Sequence, residues 1–456
     1  MKRRTFGRSA LAALAVGAVL LGSACSKSDD NDEAAAADGP VTIVVNGLPP
    51  ATDPVNRANF EADVKAFEAK YPNVKIDARE GMMDPQTFSA KLAGGQLEDV
   101  FYVYFTDPQA LIRKHQVSDI TKYLGDFPAV KDVKPELMRI FSDDKGAAYG
   151  LPSQNYSMGL VYNRDLFTKA GLDVNNPPKT WAEVREAAKK LAALPGNIVG
   201  YGDYSKSNTG GWHFTAENYS LGGDIATQSG DAWKASFNNA TGKQVLQQLK
   251  DMRWTDDTMG QKQLLEYSDL LQMMGGNKLG MFLGAGSDIV NIVNQYKGKF
   301  ATYGLGPIPD GKGTLGGGDG YMFKAGLSPA KIKAGLQWLT FKNINPDRAA
   351  EVAVRAKSHN EPVGLPQPNI WVTGSPSEQK KLAADKANVN VPLENFAAFN
   401  ASVTAIPLKL EPPLAQQVYA VLDVPMQKVL TDKNADIDQL LATAEEQVNG
   451  VLGAAK

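Results

Sequence analysis

Strand and helix signals alternate at the start of the main part of the chain, and this alternation limits the possible folds more than any other feature. Short β-branched apolar runs, typical of buried strands, are separated by segments in which apolar residues recur at helical spacing. The strand runs cover residues 41–45, 74–78 and 100–104, and the first helix between them is marked by Phe60, Val64 and Phe67. A strand, helix, strand, helix, strand order predicts a parallel sheet with helices on both faces. We therefore expect the chain to begin with an α/β lobe.

A second α/β lobe is predicted to begin near residues 151–152. Thr180 and Glu183 form a capping box, which predicts a long helix over 181–194. Three consecutive glycines at 316–318 favour a tight loop, since they lack the lysine and spacing of a phosphate loop. The remaining patterns predict a strand over 159–163 and closing helices over 414–430 and 437–452.

The first 24 residues have the three-part layout of a secretory signal. A basic start precedes an apolar run over 10–21 and three small residues at 22–24. The apolar run is shorter than the roughly 20 residues that a membrane-spanning helix needs. We therefore predict a signal peptide over 1–24. Export by the twin-arginine route, which the pair Arg3 and Arg4 favours, and general secretion both remain open.

Cys25 is the only cysteine of the chain and directly follows the small residues Gly22, Ser23 and Ala24. This junction resembles the lipobox of bacterial lipoproteins, which implies that Cys25 is lipidated and becomes the first residue of the mature protein. Residues 25–40 are polar, acidic and rich in alanine, and we expect them to form a flexible tether. The predicted location is the extracytoplasmic face of the cell membrane, through this lipid anchor only. The alternative is cleavage after Ala24, which would leave a soluble secreted protein.

Composition excludes several classes of protein. With its single cysteine at the junction, the folded part has none for disulfides or thiolate metal sites. Removal of the four basic residues of the signal moves the formal net charge from −2 to −6, which argues against a nucleic-acid partner. The chain has no zinc-protease, hydrolase-elbow or P-loop motif, and its three histidines lack the spacing of metal ligands. We expect no metal, no cofactor and no catalysis.

Aromatic and short polar residues occur together at predicted strand ends and loops, where they mark candidate ligand contacts. Ligands of parallel α/β sheets bind beyond the carboxyl ends of the strands. A sugar offers hydroxyls, which Asp and Asn can pair, and an apolar face, which an aromatic ring can cover. Trp212 is predicted to lie on a loop because two glycines precede it. The candidate contacts are Tyr104, Asp107, Asn155, Tyr156, Trp212, Asp288, Asp319 and Tyr321.

Several segments closely resemble family 1 extracellular solute-binding proteins, a family that includes maltose-binding protein and many carbohydrate receptors of ABC importers. The resemblance is strongest over residues 149–152, 160–167, 170–173 and 178–183, and weaker pieces at 97–100, 277–281 and 306–309 occur in the same order. It implies a periplasmic-binding-protein-like fold, in which two α/β lobes close about a hinge on a ligand in the cleft between them. The implied division is residues 41–152 plus about 300–345 in lobe 1, and 153–299 plus about 346–456 in lobe 2.

The resemblance also implies roles for the candidate residues. By position, Tyr104 and Asp107 are similar to the family's contacts after the third strand, Asn155 and Tyr156 to those near the hinge, and Trp212 to a stacking ring of the second lobe. Asp288, Asp319 and Tyr321 are expected on later loops that reach the cleft.

The expected function is the capture of a sugar or oligosaccharide by a monomeric receptor, which delivers it to the permease subunits of an ABC importer. Two alternatives stay open. A secreted glycoside hydrolase would need two carboxylates about 5 to 10 Å apart across the sugar. The same fold could instead bind a peptide, a polyamine or an oxyanion, although the scarcity of arginine and histidine near the candidate loops disfavours an anion.

Overall fold

The computed structural model describes residues 39–83, 85–206, 209–229, 232–403 and 405–453. The predicted signal peptide, Cys25 and residues 25–38 of the predicted tether lie outside these described residues. Within the described part of the chain, none of the helices combines the length and the apolar character needed to span a membrane.

The first sheet contains the three strands that the alternating pattern predicts. β1 pairs in parallel with both β2 and β3, whereas β11 runs antiparallel to β3 and β4. β12 pairs in parallel with the start of β11. The strands are β1 Val41–Leu48, β2 Val74–Glu80, β3 Val100–Tyr104, β4 Gly150–Ser157, β11 Thr314–Phe323 and β12 Leu408–Lys409. The predicted α/β lobe is confirmed, with a parallel part extended by antiparallel strands.

The second sheet has the order β10-β5-β9-β6, and β7 and β8 form a separate two-stranded ribbon. Its strands are β5 Gly159–Asn163, β6 Val199–Tyr201, β9 Leu279–Gly284 and β10 Tyr303–Gly306, and those of the ribbon are β7 Ala226–Ser229 and β8 Ala232–Ala235. The strand expected over 159–163 is therefore present as β5.

Helices surround both sheets. Those that pack mainly with the first sheet are α1 Pro54–Lys70, α2 Pro85–Ala93, α3 Pro108–Arg113, α4 Pro135–Ile140, α11 Pro329–Lys342, α12 Ala349–Ser358 and α13 Pro376–Asn388. The others are α5 Arg164–Lys169, α6 Trp181–Ala192, α7 Thr209–Ser220, α8 Ala240–Trp254, α9 Tyr267–Gly275, α10 Gly286–Tyr296, α14 Ala397–Ser402, α15 Ala415–Thr431 and α16 Ile437–Leu452. Short stretches of 3₁₀ helix cover Thr121–Asp126, Pro128–Asp132, Phe300–Thr302, Pro346–Arg348 and Leu393–Phe396.

The capping box at the start of α6 forms as the sequence predicts. Thr180 Oγ1 accepts a hydrogen bond from the Glu183 backbone N–H at 3.2 Å, and Glu183 Oε2 accepts one from the Thr180 backbone N–H at 3.2 Å. Each side chain thus pairs a backbone donor that has no partner within the helix.

Each sheet has its own apolar core, and together these cores define two lobes. Phe67, Phe101 and Trp338 lie in the core around the first sheet. Phe214 and Met281 lie in a core that joins the second sheet to α7, α8, α15 and α16. The chain passes from the first lobe to the second between β4 and β5, returns between β10 and β11, and passes to the second lobe again between α13 and α14. These crossings are the hinge of a periplasmic-binding-protein-like fold.

Two segments lie elsewhere than the predicted lobe division places them. Residues 303–306 were expected in lobe 1, but β10 pairs with β5 of the second sheet, with Tyr303 opposite Asn163. The segment that begins at about 346 was expected in lobe 2, but Arg355 bonds Asp63 of α1 and Trp371 pairs with Val133, both in lobe 1. Strand pairing with β5 holds residues 303–306 in the second lobe, and the buried Asp63 carboxylate, which requires cations beside it, holds Arg348 and Arg355 in the first.

The tight loop expected at the three consecutive glycines is wrong, because these residues lie within β11. A Cβ at Gly317 would lie 2.3 Å from the Tyr156 hydroxyl, and one at Gly318 would lie 2.3 Å from the Gln154 carbonyl oxygen. The glycines therefore let β4 and its side chains lie close against β11. They make room at the hinge, and they do not form a turn.

Candidate ligand-binding cleft

The carboxyl end of β3 carries the first pair of predicted contacts. Asp107 precedes α3, and its Oδ2 accepts hydrogen bonds from the Tyr104 backbone N–H at 3.2 Å and from Thr106 Oγ1 at 3.4 Å. Burial raises the pKa of Asp107 to about 6, and the two hydrogen bonds oppose this rise. Tyr104 is half-buried, and its ring centroid lies 5.3 Å from that of Tyr102 in an edge-to-face arrangement. Both predicted contacts thus lie at a strand end and stay partly accessible.

Asn155 and Tyr156 lie on β4, beside the crossing between the lobes. Tyr156 is half-buried, and its ring lies edge-to-face with that of Trp212 at a centroid distance of 6.4 Å. Asn155 is 5% exposed, and its Oδ1 has no hydrogen-bond partner in the part of the chain that the structure describes. Tyr156 of lobe 1 and Trp212 of lobe 2 therefore meet across the hinge.

Trp212 lies on the first turn of α7, so the predicted loop is wrong. Gly210 and Gly211 belong to the helix because α15 packs against them. A Cβ at Gly211 would lie 2.1 Å from the Tyr419 carbonyl oxygen, and one at Gly210 would lie 2.5 Å from Asp423 Oδ1. The pair of glycines therefore indicates close helix packing. Trp212 itself stays half-buried.

An aromatic cluster forms around Trp212. The ring centroid of Tyr204 lies 6.4 Å from that of Trp212, 4.2 Å from that of His213 and 5.3 Å from that of Tyr267. Sequence reasoning did not select Tyr204 or Tyr267, because nothing local separates them from core tyrosines.

Asp288 supports this cluster from α10, where it is buried. Its Oδ1 accepts a hydrogen bond from the Tyr267 hydroxyl at 2.6 Å, and its Oδ2 accepts one from the Ala285 backbone N–H at 2.7 Å. Burial raises the pKa of Asp288, and these hydrogen bonds oppose the rise. The predicted loop position is wrong, because Asp288 lies in the first turn of a helix and pairs a backbone donor there.

Asp319 and Tyr321 lie on β11 and not on a loop. Asp319 is buried and accepts hydrogen bonds from the Tyr102 hydroxyl at 2.8 Å, from Gln154 Nε2 at 2.6 Å and from Ser153 Oγ. Burial raises the pKa of Asp319, and the hydrogen bonds from these three donors oppose the rise. Tyr321 is 7% exposed and packs edge-to-face on Tyr102 at 5.7 Å. These two residues fix the positions of neighbouring side chains on β3 and β4.

Comparison with known proteins assigns the fold to a family. The family described as bacterial extracellular solute-binding protein matches residues 51–342. The chain belongs to this family. The resemblance seen in the sequence is thereby confirmed, and so is the predicted periplasmic-binding-protein-like fold.

Relatives of this solute-binding protein include the sn-glycerol-3-phosphate-binding periplasmic protein UgpB of Brucella abortus, which is 26% identical over 340 residues. The match covers 69% of this chain and 66% of the Brucella protein. UgpB of Agrobacterium fabrum is 27% identical over 326 residues, covering 67% of this chain and 63% of that protein. The chain thus spans just under two thirds of the length of these relatives.

Two solved structures show the same fold. The cyclic α-maltosyl-1,6-maltose binding protein of Arthrobacter globiformis superposes with a TM-score of 0.66 at 21% identity, covering 91% of this chain and all of that one. UgpB of Mycobacterium tuberculosis, in complex with glycerophosphocholine, superposes with a TM-score of 0.69 at 15% identity. This match covers 91% of this chain and 98% of that one.

Sequence reasoning missed one further polar residue of the cleft in this solute-binding protein. Glu411 lies between β12 and α15, is half-buried, and accepts a hydrogen bond from the Tyr419 hydroxyl at 3.0 Å. Burial raises the pKa of Glu411 to about 7; the Tyr419 hydrogen bond opposes the rise, and the charge of Asp107 adds to it. No local motif marks Glu411, and only the fold brings it near Asp107.

The solute-binding protein therefore brings acidic and aromatic side chains together beside the crossing between its lobes. Burial raises the pKa of Tyr156 well above its usual range, and the charges of Glu411, Asp288 and Asp319 add to the rise. Tyr156 thus lies within the electrostatic influence of three carboxylates from different elements. Among the described residues, no group of three or more His, Cys, Asp or Glu side chains could hold a metal ion.

Proposed function

We propose that this chain is the extracytoplasmic solute-capturing component of an ABC importer, and that it binds a sugar or oligosaccharide between its lobes. The observation that carries the proposal is the meeting of Tyr156 and Trp212 across the hinge, 6.4 Å apart, with the carboxylates of Asp107 and Glu411 nearby. Half-buried aromatic rings can cover the apolar face of a sugar, and the carboxylates can accept hydrogen bonds from its hydroxyls.

Affinity explains why both kinds of group are needed. A micromolar Kd corresponds to about 8 kcal/mol, whereas one hydrogen bond exchanged with water nets about 1 kcal/mol. Aromatic burial has to supply much of the remainder. We therefore propose Tyr104, Asp107, Tyr156, Trp212 and Glu411 as the direct contacts. Asn155 joins them through its unpaired oxygen, and Asp288, Asp319 and Tyr321 act mainly by positioning their neighbours.

Closure follows from contacts to both lobes. A ligand shifts an equilibrium between open and closed forms only by its difference in affinity for the two. A solute that touches Asp107 on lobe 1 and Trp212 on lobe 2 binds the closed form better. The closed form then docks on the permease subunits of the importer, and the solute leaves chemically unchanged.

A thermal-shift screen of monosaccharides and oligosaccharides tests this proposal. A solute present at 100 times its Kd adds about 2.7 kcal/mol to the free energy of unfolding, which raises the melting temperature. If no sugar raises it, and peptides or polyamines do, the fold serves another solute.

The pair Asp107 and Glu411 also motivates a second candidate, a glycoside hydrolase, because both carboxylates lie in the cleft and have raised pKa values. A product assay with the sugar found in the screen separates the two functions. Recovery of the intact sugar supports the receptor, whereas cleaved products support the hydrolase.

We further propose that the mature protein is a monomer anchored through lipidated Cys25. The change Cys25→Ser should release it from the cell surface into the medium. Retention of the variant at the membrane would contradict the anchor, whereas release of the unchanged protein would support plain cleavage after Ala24.

A further inference from the structure

We infer that the cleft selects a solute that carries a protonated amine, such as an amino sugar or an amino alditol, over its neutral and phosphorylated counterparts. This inference rests on the proposed function, and it names the solute class that the charges and aromatic rings of the same cleft favour.

The charges that face the cleft are negative. Glu411 lies close enough to Asp107 for their charges to repel each other, and Asp288 lies behind Tyr267. Burial raises the pKa of Tyr204, and the further contributions come from Asp288, Asp203 and neighbouring tyrosines. The aromatic cluster around Trp212 is therefore surrounded by carboxylates on several elements.

The lysine closest to Glu411 in the sequence is already paired. Lys409 of β12 forms an ion pair with Asp224 at 2.7 Å and donates a hydrogen bond to the Gly223 carbonyl oxygen at 2.7 Å. Its Nζ lies over the ring of Tyr219, 5.2 Å from the centroid. In the described part of the chain, neither Lys nor Arg is among the groups that shift the pKa values of Asp107, Glu411, Tyr156 or Asp288. Of these groups, only Asp288 has a nearby base among the causes, since the charge of His213 lowers its pKa.

Closure makes this arrangement selective. Asp107 precedes α3 of lobe 1, and Glu411 lies between β12 of the first sheet and α15 of lobe 2, so the closed cleft holds two like charges near each other in a less polar medium. A neutral sugar leaves their repulsion in place, and a phosphate ester adds further negative charge. A protonated amine offsets it, and the faces of Tyr156, Trp212 and Tyr104 also favour a cation.

A buried imidazole provides an independent sign of a polar ligand group in this cluster. His213 is 1% exposed, its Nδ1 lies 2.9 Å from Asp203 Oδ2, and its ring packs against Tyr204 and Trp212. Its Nε2 has no partner within the described ranges. When Nδ1 donates to the Asp203 carboxylate, Nε2 of the neutral ring is an acceptor. An ammonium or hydroxyl donor of the solute would complete this site beside Trp212.

Protonation of the carboxylates should weaken the preference. Burial raises the pKa of Asp107 to about 6 and that of Glu411 to about 7, so both carboxylates are largely ionised at pH 8, and Glu411 loses its charge as the pH falls through 7 and Asp107 as it falls through 6. Other charged groups also lie around the aromatic cluster, and they act on the same bound amine. They are Asp288, Asp319 and the Asp203–His213 pair. For the amino alditol, whose alkyl amine stays protonated at pH 8, the amine preference is therefore expected to decline from pH 8 to pH 5, while affinity for a neutral solute falls much less.

Titration calorimetry on the full mature chain with two matched series tests the inference. The first series is glucose, glucosamine and glucose 6-phosphate; the second is sorbitol, glucamine and sorbitol 6-phosphate. We expect the amine of at least one series to bind about tenfold more tightly than its neutral counterpart, and the phosphate esters to bind most weakly. The substitution Glu411→Gln should remove most of this preference, because it weakens binding of the amine far more than binding of the neutral member. Glu136→Gln, the same change on the exposed face of α4, should have no effect.

Each other outcome counts against the inference. If a neutral or phosphorylated member binds as tightly as the amine in both series, the inference is overturned and the proposed function stands. If no member of either series binds, the inference is overturned, and the thermal-shift screen of sugars and oligosaccharides decides the proposed function separately. Should Glu411→Gln fail to fold, Asp107→Asn provides a second test, and an unchanged amine preference in that variant would also overturn the inference.

Discussion

Trp212 shows how one side chain can be held rigidly and still face a ligand. It lies on the first turn of α7, whose glycines pack against α15, and its ring contacts Tyr156, Tyr204 and His213. A ring fixed in this way loses little conformational entropy when a ligand binds. Trp212 is therefore the residue at which a substitution should affect binding most.

The substitution Trp212→Ala should weaken binding of the best sugar by about 2 kcal/mol, or roughly thirtyfold in Kd, because it removes an aromatic face at the centre of the cleft. Titration calorimetry measures the change. Trp233→Ala, at a half-buried tryptophan on the β7–β8 ribbon, serves as the control and should leave Kd unchanged. An unaltered Kd in the Trp212 variant would remove this residue from the site.

At the scale of elements, the close contact between α7 and α15 depends on Gly211. A Cβ there would lie 2.1 Å from the Tyr419 carbonyl oxygen, so Gly211→Ala must push the helices apart. We expect the free energy of unfolding to fall by about 1 to 3 kcal/mol, the usual cost of overpacking. Urea denaturation measures it. Gly450→Ala in α16, where an added Cβ meets nothing within 4 Å, should be neutral or slightly stabilising. Equal stability of the two variants would contradict the packing argument.

A buried ion cluster joins α1 to α11 and α12. Asp63 is 3% exposed. Its carboxylate forms ion pairs with Arg348 at 2.8 Å, Arg355 at 2.8 Å and Lys342 at 3.1 Å. Burial alone would raise its pKa, but the hydrogen bonds and charges of these cations lower it from 3.8 to about 2. Because the folded-state pKa lies below the ordinary value, the cluster stabilises the fold above pH 4, and this contribution is lost as the pH falls towards 2.

Removing the charge tests this cluster. Asp63→Asn should lower the free energy of unfolding at pH 7 by about 3 kcal/mol, since three cations are left without their carboxylate. The difference from the unchanged protein should shrink between pH 4 and pH 2, which denaturation at several pH values would show. A difference that stays constant over this range would mean that the carboxylate is not held ionised by its neighbours.

The elements also show what the sequence could and could not predict. Apolar runs and helix caps act locally, so β1, β2, β3 and the capping box at Thr180 were predicted correctly. Glycine is locally ambiguous, because it serves turns and close packing alike. The glycines before Trp212 and those of β11 were therefore assigned to loops, although their partners lie on α15 and β4. Glu411 was missed because its importance depends on Asp107, about 300 residues away in the chain.

At the scale of the whole molecule, the two lobes meet where the chain crosses between their sheets. β4 and β5 are separated by one residue, Met158, so the lobes are tied closely at this point. The buried Thr314 side chain bridges the crossings, since its Oγ1 donates to the Met158 carbonyl oxygen at 3.1 Å and accepts from the Met158 backbone N–H at 3.2 Å. Motion of the lobes is thus expected to be a rotation about this region, with each apolar core moving as a unit.

Small-angle scattering tests this rotation directly. A saturating sugar should reduce the radius of gyration, because it binds the closed form better than the open one. The same sugar added to the Trp212→Ala variant at the original concentration should produce a smaller reduction, since fewer molecules are occupied. Raising the concentration to saturate the variant should restore part of the change, because Asp107 and Glu411 still engage the solute from both lobes. A radius of gyration that stays the same at full occupancy would show that the solute contacts one lobe only, and capture by closure would then be wrong.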